Sequence, residues 1–175
     1  MLAPPADAPA TSFALLPEVD LELLSRYLLL TRRKLRARQH LYRAGQSFRA
    51  LYLVHAGFLK TCHVTEGGRE QVTGFRMRGD LLGVESIGLE RHIDDAVALE
   101  DAEVWELSYP AVLDACQRLP ALQMRLTAAL AGEIRRDRTW MQTVGVLPAD
   151  ERVAAFLLDM AGRFARLGFS PRRFV

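Results

Sequence analysis

Glycine sets the rhythm of the middle of this chain. Between residues 41 and 107, short segments rich in β-branched and large apolar side chains are broken at Gly45, Gly57, Gly67–Gly68 and Gly79. Breaks every ten to twelve residues point to an antiparallel sandwich or barrel of short strands. No segment repeats closely enough for a solenoid. "TEGGRE", from Thr65 to Glu70, reads as a hairpin turn in which Gly67 and Gly68 are free to take positive φ. Before it, Phe58, Lys60, Cys62 and Val64 should share one face of a strand; after it, Thr73, Phe75 and Met77 should share a face of the next. Gly79, Gly83 and Gly88 then fall within ten residues, so the backbone there turns tightly or something approaches it closely.

Helical patterns flank this region. Val19, Leu23, Leu24 and Tyr27 predict a short helix over residues 17–29. Arg32, Arg33, Lys34, Arg36 and Arg38 follow as a basic stretch, read as a solvated connector beside the first strand, with phosphate binding as the alternative. "SYPAVLDACQRL" predicts a short helix with Ser108 as its cap and Pro110 in its first turn. A long helix runs from Pro120 to about Leu147, where Pro148 breaks it. A last helix over 149–167 is closed by Gly168. Its apolar face, Val153, Phe156, Leu157, Met160 and Phe164, needs a partner, which suggests a further domain beyond it.

The long helix carries a second periodicity. Leu130, Ile134, Asp137, Met141 and Val144 are spaced by four, three, four and three residues, with Leu126 extending the stripe one step out of register. That is the a/d pattern of a two-helix seam. Packing on the chain's own barrel is the competing reading; two copies across a two-fold axis fit the spacing better. Asp137 would then face its own copy, and two desolvated like charges make a dimer that is poised, not permanent.

Composition excludes more than it selects. Half of the 175 residues are apolar, a quarter are charged, and the net charge is +2, a globular balance that does not announce a nucleic-acid binder. No apolar run approaches membrane-spanning length, and residues 1–12 read as a disordered leader without a secretory signal, so the cytoplasm is the expected location. Cys62 and Cys116 match no metal or redox spacing and read as small buried hydrophobes. There is no nucleophile elbow, P-loop or paired-metal motif, so catalysis is not expected. The fold class expected is α+β: an antiparallel β-roll (a double-stranded β-helix or jelly roll) flanked by short helices, plus a long C-terminal dimerisation helix.

This order of elements resembles the Crp/Fnr family of bacterial transcription regulators. "GDLLGVESIG" from Gly79 resembles the family's β-roll signature, and residues 41–75 resemble its first strands. "GEIRRD" from Gly132, "ERVAAFLL" from Glu151 and "RFARLGFSPRRF" from Arg163 are closest to the oxygen-responsive Fnr branch. The resemblance implies a cyclic-nucleotide-binding-like sensor over residues 13–119, a dimerisation helix over 120–147, and over 148–175 the first helix of a DNA-binding domain otherwise absent from this sequence. It also implies a homodimer, DNA bound through a winged helix-turn-helix beyond "SPRRF", and RNA polymerase as a partner. No membrane partner is implied. As given, the chain is not expected to bind DNA sequence-specifically.

The effector is less legible. In cyclic-nucleotide-binding members a Glu follows the glycine matching Gly83, and an Arg-Ser pair further on holds the phosphate. Here Val84 follows Gly83, Glu85 comes one position late, and the pair reads His92-Ile93, with Asp94 and Asp95 next. Two carboxylates repel a phosphate. The candidate effector pocket is therefore Gly83, Val84, Glu85, Ser86, His92 and Asp95, with tight cyclic nucleotide binding not expected. The Fnr branch's four-cysteine iron–sulfur cluster is not expected either: the leader has no cysteine and its strand position reads Trp105. No cofactor is predicted; were haem present, His63 and His92 would be the first ligands to test. The alternative functions are a stand-alone, cupin-like small-molecule-binding barrel, although the strands lack the clustered His and Glu ligands a cupin needs, and a haem-based gas sensor of the same family.

Overall fold

The structure, a computed structural model, describes Ser25 and residues 27–168. The expected leader, most of the helix over 17–29 and the segment from Phe169 onward lie outside the described residues. Two four-stranded antiparallel sheets make up the roll. One has the order β1 (Leu30–Leu35), β8 (Ala102–Ser108), β3 (Ala50–Ala56), β6 (Leu81–Leu82). The other has the order β2 (His40–Tyr42), β7 (Asp95–Ala98), β4 (Leu59–Val64), β5 (Glu70–Arg76). Three helices follow: α1 (Tyr109–Arg118), α2 (Pro120–Val146) and α3 (Ala149–Arg166).

Strand β3 explains how the layers stack. Its residues alternate between two cores, as the two-residue period of a strand requires. Ala50, Tyr52 and Val54 join Leu41, Tyr42, Leu59, Leu82 and Val104 between the sheets. Leu51 and Leu53 face the other way and meet Leu107, Val112, Ala115, Cys116 and Leu122 beneath the helices. Leu51, Val54, Leu59 and Val104 are at most 1% exposed. At about 1.5–3 kcal/mol for each large apolar side chain fully buried, these two layers supply the main driving force for the fold.

The basic stretch is a connector only at its end, where Arg36 and Arg38 lie exposed between β1 and β2. Arg32, Arg33 and Lys34 lie inside β1, which pairs with β8 along its whole length. Arg32 forms an ion pair with Glu103, and Arg33 with Glu106 at 3.1 Å, so acids on β8 account for two of the charges. The hairpin falls where expected: the Thr65 amide donates to Arg69 O, and Gly68, not Gly67, takes positive φ (+74°). The strand-face expectation fails in β5, where Thr73 hydrogen-bonds to Thr61 while Phe75 pairs with Lys60, so the two lie on opposite faces. Cys62 pairs with Val72 and Thr61 with Gly74, leaving Thr73 as the extra residue of a bulge. Thr61 and Cys62 both bury, while Val64 is exposed. The short helix also differs in its start: Ser108 ends β8 and makes no side-chain cap, with Pro110 in the first turn as expected.

Glycine matters most at Gly57, in the turn between β3 and β4. Its φ is +81°, and an added Cβ would lie 2.7 Å from both Ala102 Cα and Asp101 O. Gly68 has a similar φ but open space around it. We expect Gly68→Ala to cost about 1–2 kcal/mol, the left-handed backbone penalty alone, and Gly57→Ala at least about 3 kcal/mol because backbone must also move. Urea unfolding midpoints of the two variants, measured side by side, check the ranking.

Candidate functional site

The three clustered glycines turn a corner of the roll. Gly79, Gly83 and Gly88 all take positive φ, between +85° and +89°. Between the first two, Asp80 is buried, and its Oδ2 accepts a hydrogen bond from the Met77 amide at 2.9 Å, which closes the turn. The same oxygen accepts from Arg163 Nη2 on α3 at 2.5 Å, and that Nη2 also donates to Phe75 O at 3.0 Å. Burial pulls the Arg163 guanidinium below its usual range, and Asp80 opposes the pull. Around this pair the apolar face of α3 finds its partner within the chain: Phe156 meets Phe75 and Trp140, and Phe164 meets Phe58. Met160 is buried, whereas Val153 and Leu157 stay exposed.

Past Gly83 the chain makes a 3-10 turn over Val84–Ser86. A Cβ on Gly83 would press within 3.3 Å of Ala50 O and 3.5 Å of His92 Cε1, so a side chain at that position would be both strained and crowded. Of the predicted pocket residues, Glu85, Ser86 and His92 do come together, through a residue that sequence reasoning missed. Tyr42 donates its hydroxyl to Glu85 Oε1 at 3.0 Å and stacks on the His92 ring, with centroids 3.8 Å apart and planes at 11°. The Ile93 amide approaches Ser86 Oγ at 3.4 Å. Burial pushes the Glu85 carboxyl up and the Tyr42 hydroxyl well up, and it lowers His92. Asp95 stands apart: it accepts from the Ala44 amide at 2.7 Å and pairs with His40 at 3.4 Å. Arg91 donates to Gly45 O at 2.6 Å.

A second polar cluster joins the roll to α2. Arg76, on β5, donates to Glu133 Oε2 at 2.7 Å, and Arg136 donates to Glu133 Oε1 at 2.9 Å. One carboxylate thus serves two guanidiniums. Burial and the neighbouring Glu133 raise the Asp137 carboxyl, one residue beyond Arg136. The predicted seam splits along the helix. Leu126 packs against the chain's own second core, and Leu130 is half-buried. Ile134, Met141 and Val144 are exposed, at 61%, 70% and 40%. Asp137 is exposed among them.

His63 and His92 have different surroundings. His63 is more than half exposed and lies 3.3 Å from Asp94, which also accepts from Thr73 at 2.9 Å. His92 is buried beneath Tyr42. Among the described residues no group of three or more His, Cys, Asp or Glu could hold a metal ion. Both cysteines are buried and unpaired, and burial raises both thiols. No described helix is long and apolar enough to cross a membrane.

The corner, the two sheets and the long helix that follows them have a known counterpart. The family model for the cyclic nucleotide-binding domain matches residues 32–119, half of the chain. The chain belongs to this family. Its relatives place it in the Crp/Fnr group. It is 38% identical over 136 residues to the fumarate and nitrate reduction regulatory protein of Escherichia coli K12, covering 78% of this chain and 54% of that protein. It therefore spans about half the length of the curated relatives it matches. FixK2 from Bradyrhizobium japonicum has the same fold with a TM-score of 0.70 at 26% identity, covering 82% of this chain and 80% of that one. The catabolite activator protein of Thermus thermophilus superposes with a TM-score of 0.64 at 24% identity, over 90% and 81%.

Tyr42, Arg76, Asp80, Glu133 and Arg163 escaped sequence reasoning. Arg163 had a signal: it lies seven residues after Phe156, on the apolar face of α3, where a lone guanidinium requires a buried acid. Glu85 yields a pH test. Its carboxyl is raised in the folded state, so protonation favours folding. That contribution is present below the ordinary carboxylate range and is lost as pH rises through the raised value. Glu85→Gln keeps an acceptor for Tyr42 without the buried charge. Its stability relative to the parent should climb as pH rises from the ordinary carboxylate range through the raised value, by urea unfolding at each pH.

Proposed function

We propose that this chain is the sensing and dimer-forming part of a bacterial Crp/Fnr-type transcriptional regulator. In this reading residues 13–119 are the sensor, 120–147 the dimerisation helix, and 148–175 the start of a DNA-binding domain. The observation that carries it is the exposed stripe of Ile134, Met141 and Val144, which projects from a helix otherwise anchored to the roll by Leu122 and the Arg76–Glu133 pair. A solvent-facing apolar stripe at 3.5-residue spacing fits a second copy of the same helix. A change at the corner has two routes outward: Arg76 to Glu133 on α2, and Asp80 to Arg163 on α3. DNA and RNA polymerase are the partners of the complete protein, and its chemistry is recognition, not catalysis.

The effector site in this reading is the corner of Gly83, Val84, Glu85, Ser86 and His92, with Asp95 at its margin. Its groups are committed in ways that disfavour a cyclic nucleotide. Glu85 is held by Tyr42, Arg91 turns to Gly45, and Arg76 is held by Glu133. Calorimetry with cyclic AMP and cyclic GMP should detect no binding near about −8 kcal/mol, the value for micromolar affinity. Neither an iron–sulfur cluster nor haem is part of the proposal; an absorption spectrum of the purified protein with a haem Soret band would overturn that.

Sedimentation equilibrium tests the seam. Ile134→Glu should give a monomer. Asp137→Ala should tighten the dimer, by removing a carboxylate that meets its copy. Pairing of the two aspartates raises their affinity for a proton further in the dimer, so association should strengthen in mild acid and weaken as pH rises through the dimer's value. Dissociation by Asp137→Ala would instead make Asp137 a cross-chain salt-bridge partner.

A further inference from the structure

A cleft of about 370 Å³ opens between the two sheets where β1 and β2 diverge, beside the glycine corner, with which it shares Tyr42 and His92. One wall is Arg33 on β1; the other is His40 on β2 and the following residues Arg43, Gln46 and Ser47; Tyr42, Tyr52 and His92 complete the lining. The volume lies at the low end of the range for small-molecule sites, about 300–1,000 Å³. Nearly every side chain in the lining offers a hydrogen-bond donor. Arg33 lies over the Tyr52 ring at 5.7 Å and is half-paired with Glu106. Arg43 is exposed and forms no ion pair among the described residues. The Gln46 carbonyl oxygen accepts from the Arg43 amide at 3.0 Å, which leaves its NH₂ free to donate outward. His92 is 3% exposed, and its Nδ1 is buried with no hydrogen-bond partner. Buried polar groups are normally partnered, so an orphaned ring nitrogen on the lining of a cleft points to a missing ligand or water.

The acids near the mouth are already engaged: Glu106 by Arg33, and Asp95 by His40 and the Ala44 amide. Two guanidiniums on opposite walls, with imidazole, amide and hydroxyl donors between them, suit an oxyanion with more than two oxygens and more than one charge. The space exceeds what a bare anion needs, which leaves room for a small, polar organic part. We propose that this cleft binds a small phosphate monoester, with Arg33 and Arg43 gripping the phosphate from the two sheets. Such a ligand would bridge β1 and β2, which belong to different sheets, and hold the roll's open edge together. The site shares Tyr42 and His92 with the glycine corner, and Arg33 and Arg43, which lie outside that corner, distinguish the two.

Histidine ring resonances, followed by NMR at constant ionic strength, test the proposal with glycerol 3-phosphate and inorganic phosphate as probes. The His40 and His92 signals should shift saturably with glycerol 3-phosphate, at half-saturation below about 1 mM. Arg43→Gln, at an exposed position, should weaken binding at least tenfold, as should Arg33→Gln, while Arg125→Gln on the exposed side of α2 should leave it unchanged. Equal affinity for inorganic phosphate would identify the free anion as sufficient, and tighter binding of glycerol 3-phosphate would identify the ester; both support the site. Linear, non-saturating shifts, or equal binding by parent and Arg43→Gln, would overturn it.

Discussion

One carboxylate oxygen holds the architecture together. Asp80 Oδ2 closes the turn after β5 through the Met77 amide and docks α3 through Arg163. Both partners are buried, so the pair is shielded from solvent and poorly replaceable by either group alone. Without it, the turn loses its fixed geometry and the apolar faces of Phe156, Met160 and Phe164 lose the anchor that orients them. The sheets form their backbone ladders without the helices, but side chains tie the two together, Arg76 to Glu133 and Arg163 to Phe75 O and Asp80. Asp80 makes them one body.

Further polar contacts lie at the half-buried margin of this clamp. Glu85 with Tyr42, and Glu133 with Arg76 and Arg136, place carboxylates where leucines would stabilise at least as well. Buried polar contacts of this kind are geometrically exacting, because any shift that breaks one leaves a desolvated charge. They therefore favour a few defined arrangements over a continuum, which is what a sensing domain needs.

The sequence disclosed periodic features and concealed singular ones. Glycine spacing revealed the roll because short strands need turns at regular intervals, and the long helix was legible from its two prolines and its 3.5-residue stripe. The bulge at Thr73 was not, since one extra residue leaves no periodic trace, and it put Thr73 and Phe75 on opposite faces of β5. The basic residues of β1 looked like a connector because their acids, Glu103 and Glu106, lie some seventy residues away. Glu85, Ser86 and His92 were legible as neighbours in sequence, but Tyr42, which joins two of them, comes from a strand forty-three positions earlier. Ion pairs and stacking across sheets are long-range choices that no local pattern encodes.

Helix α2 is 27 residues long, about 40 Å at 1.5 Å per residue. Its last ion pair to the roll among the described residues is Glu133, held by Arg76, and thirteen residues follow it through Val146. The distal part is thus a lever arm of roughly 20 Å, tied back to the roll through α3, where Phe156 meets both Trp140 and Phe75. A tilt of about 10° at Glu133 would carry the far tip some 3 Å, more than half a helical pitch. Amplification of that kind is a matter of arm length alone, so a displacement at the roll too small to disturb its packing would still be large where α2 hands over to α3.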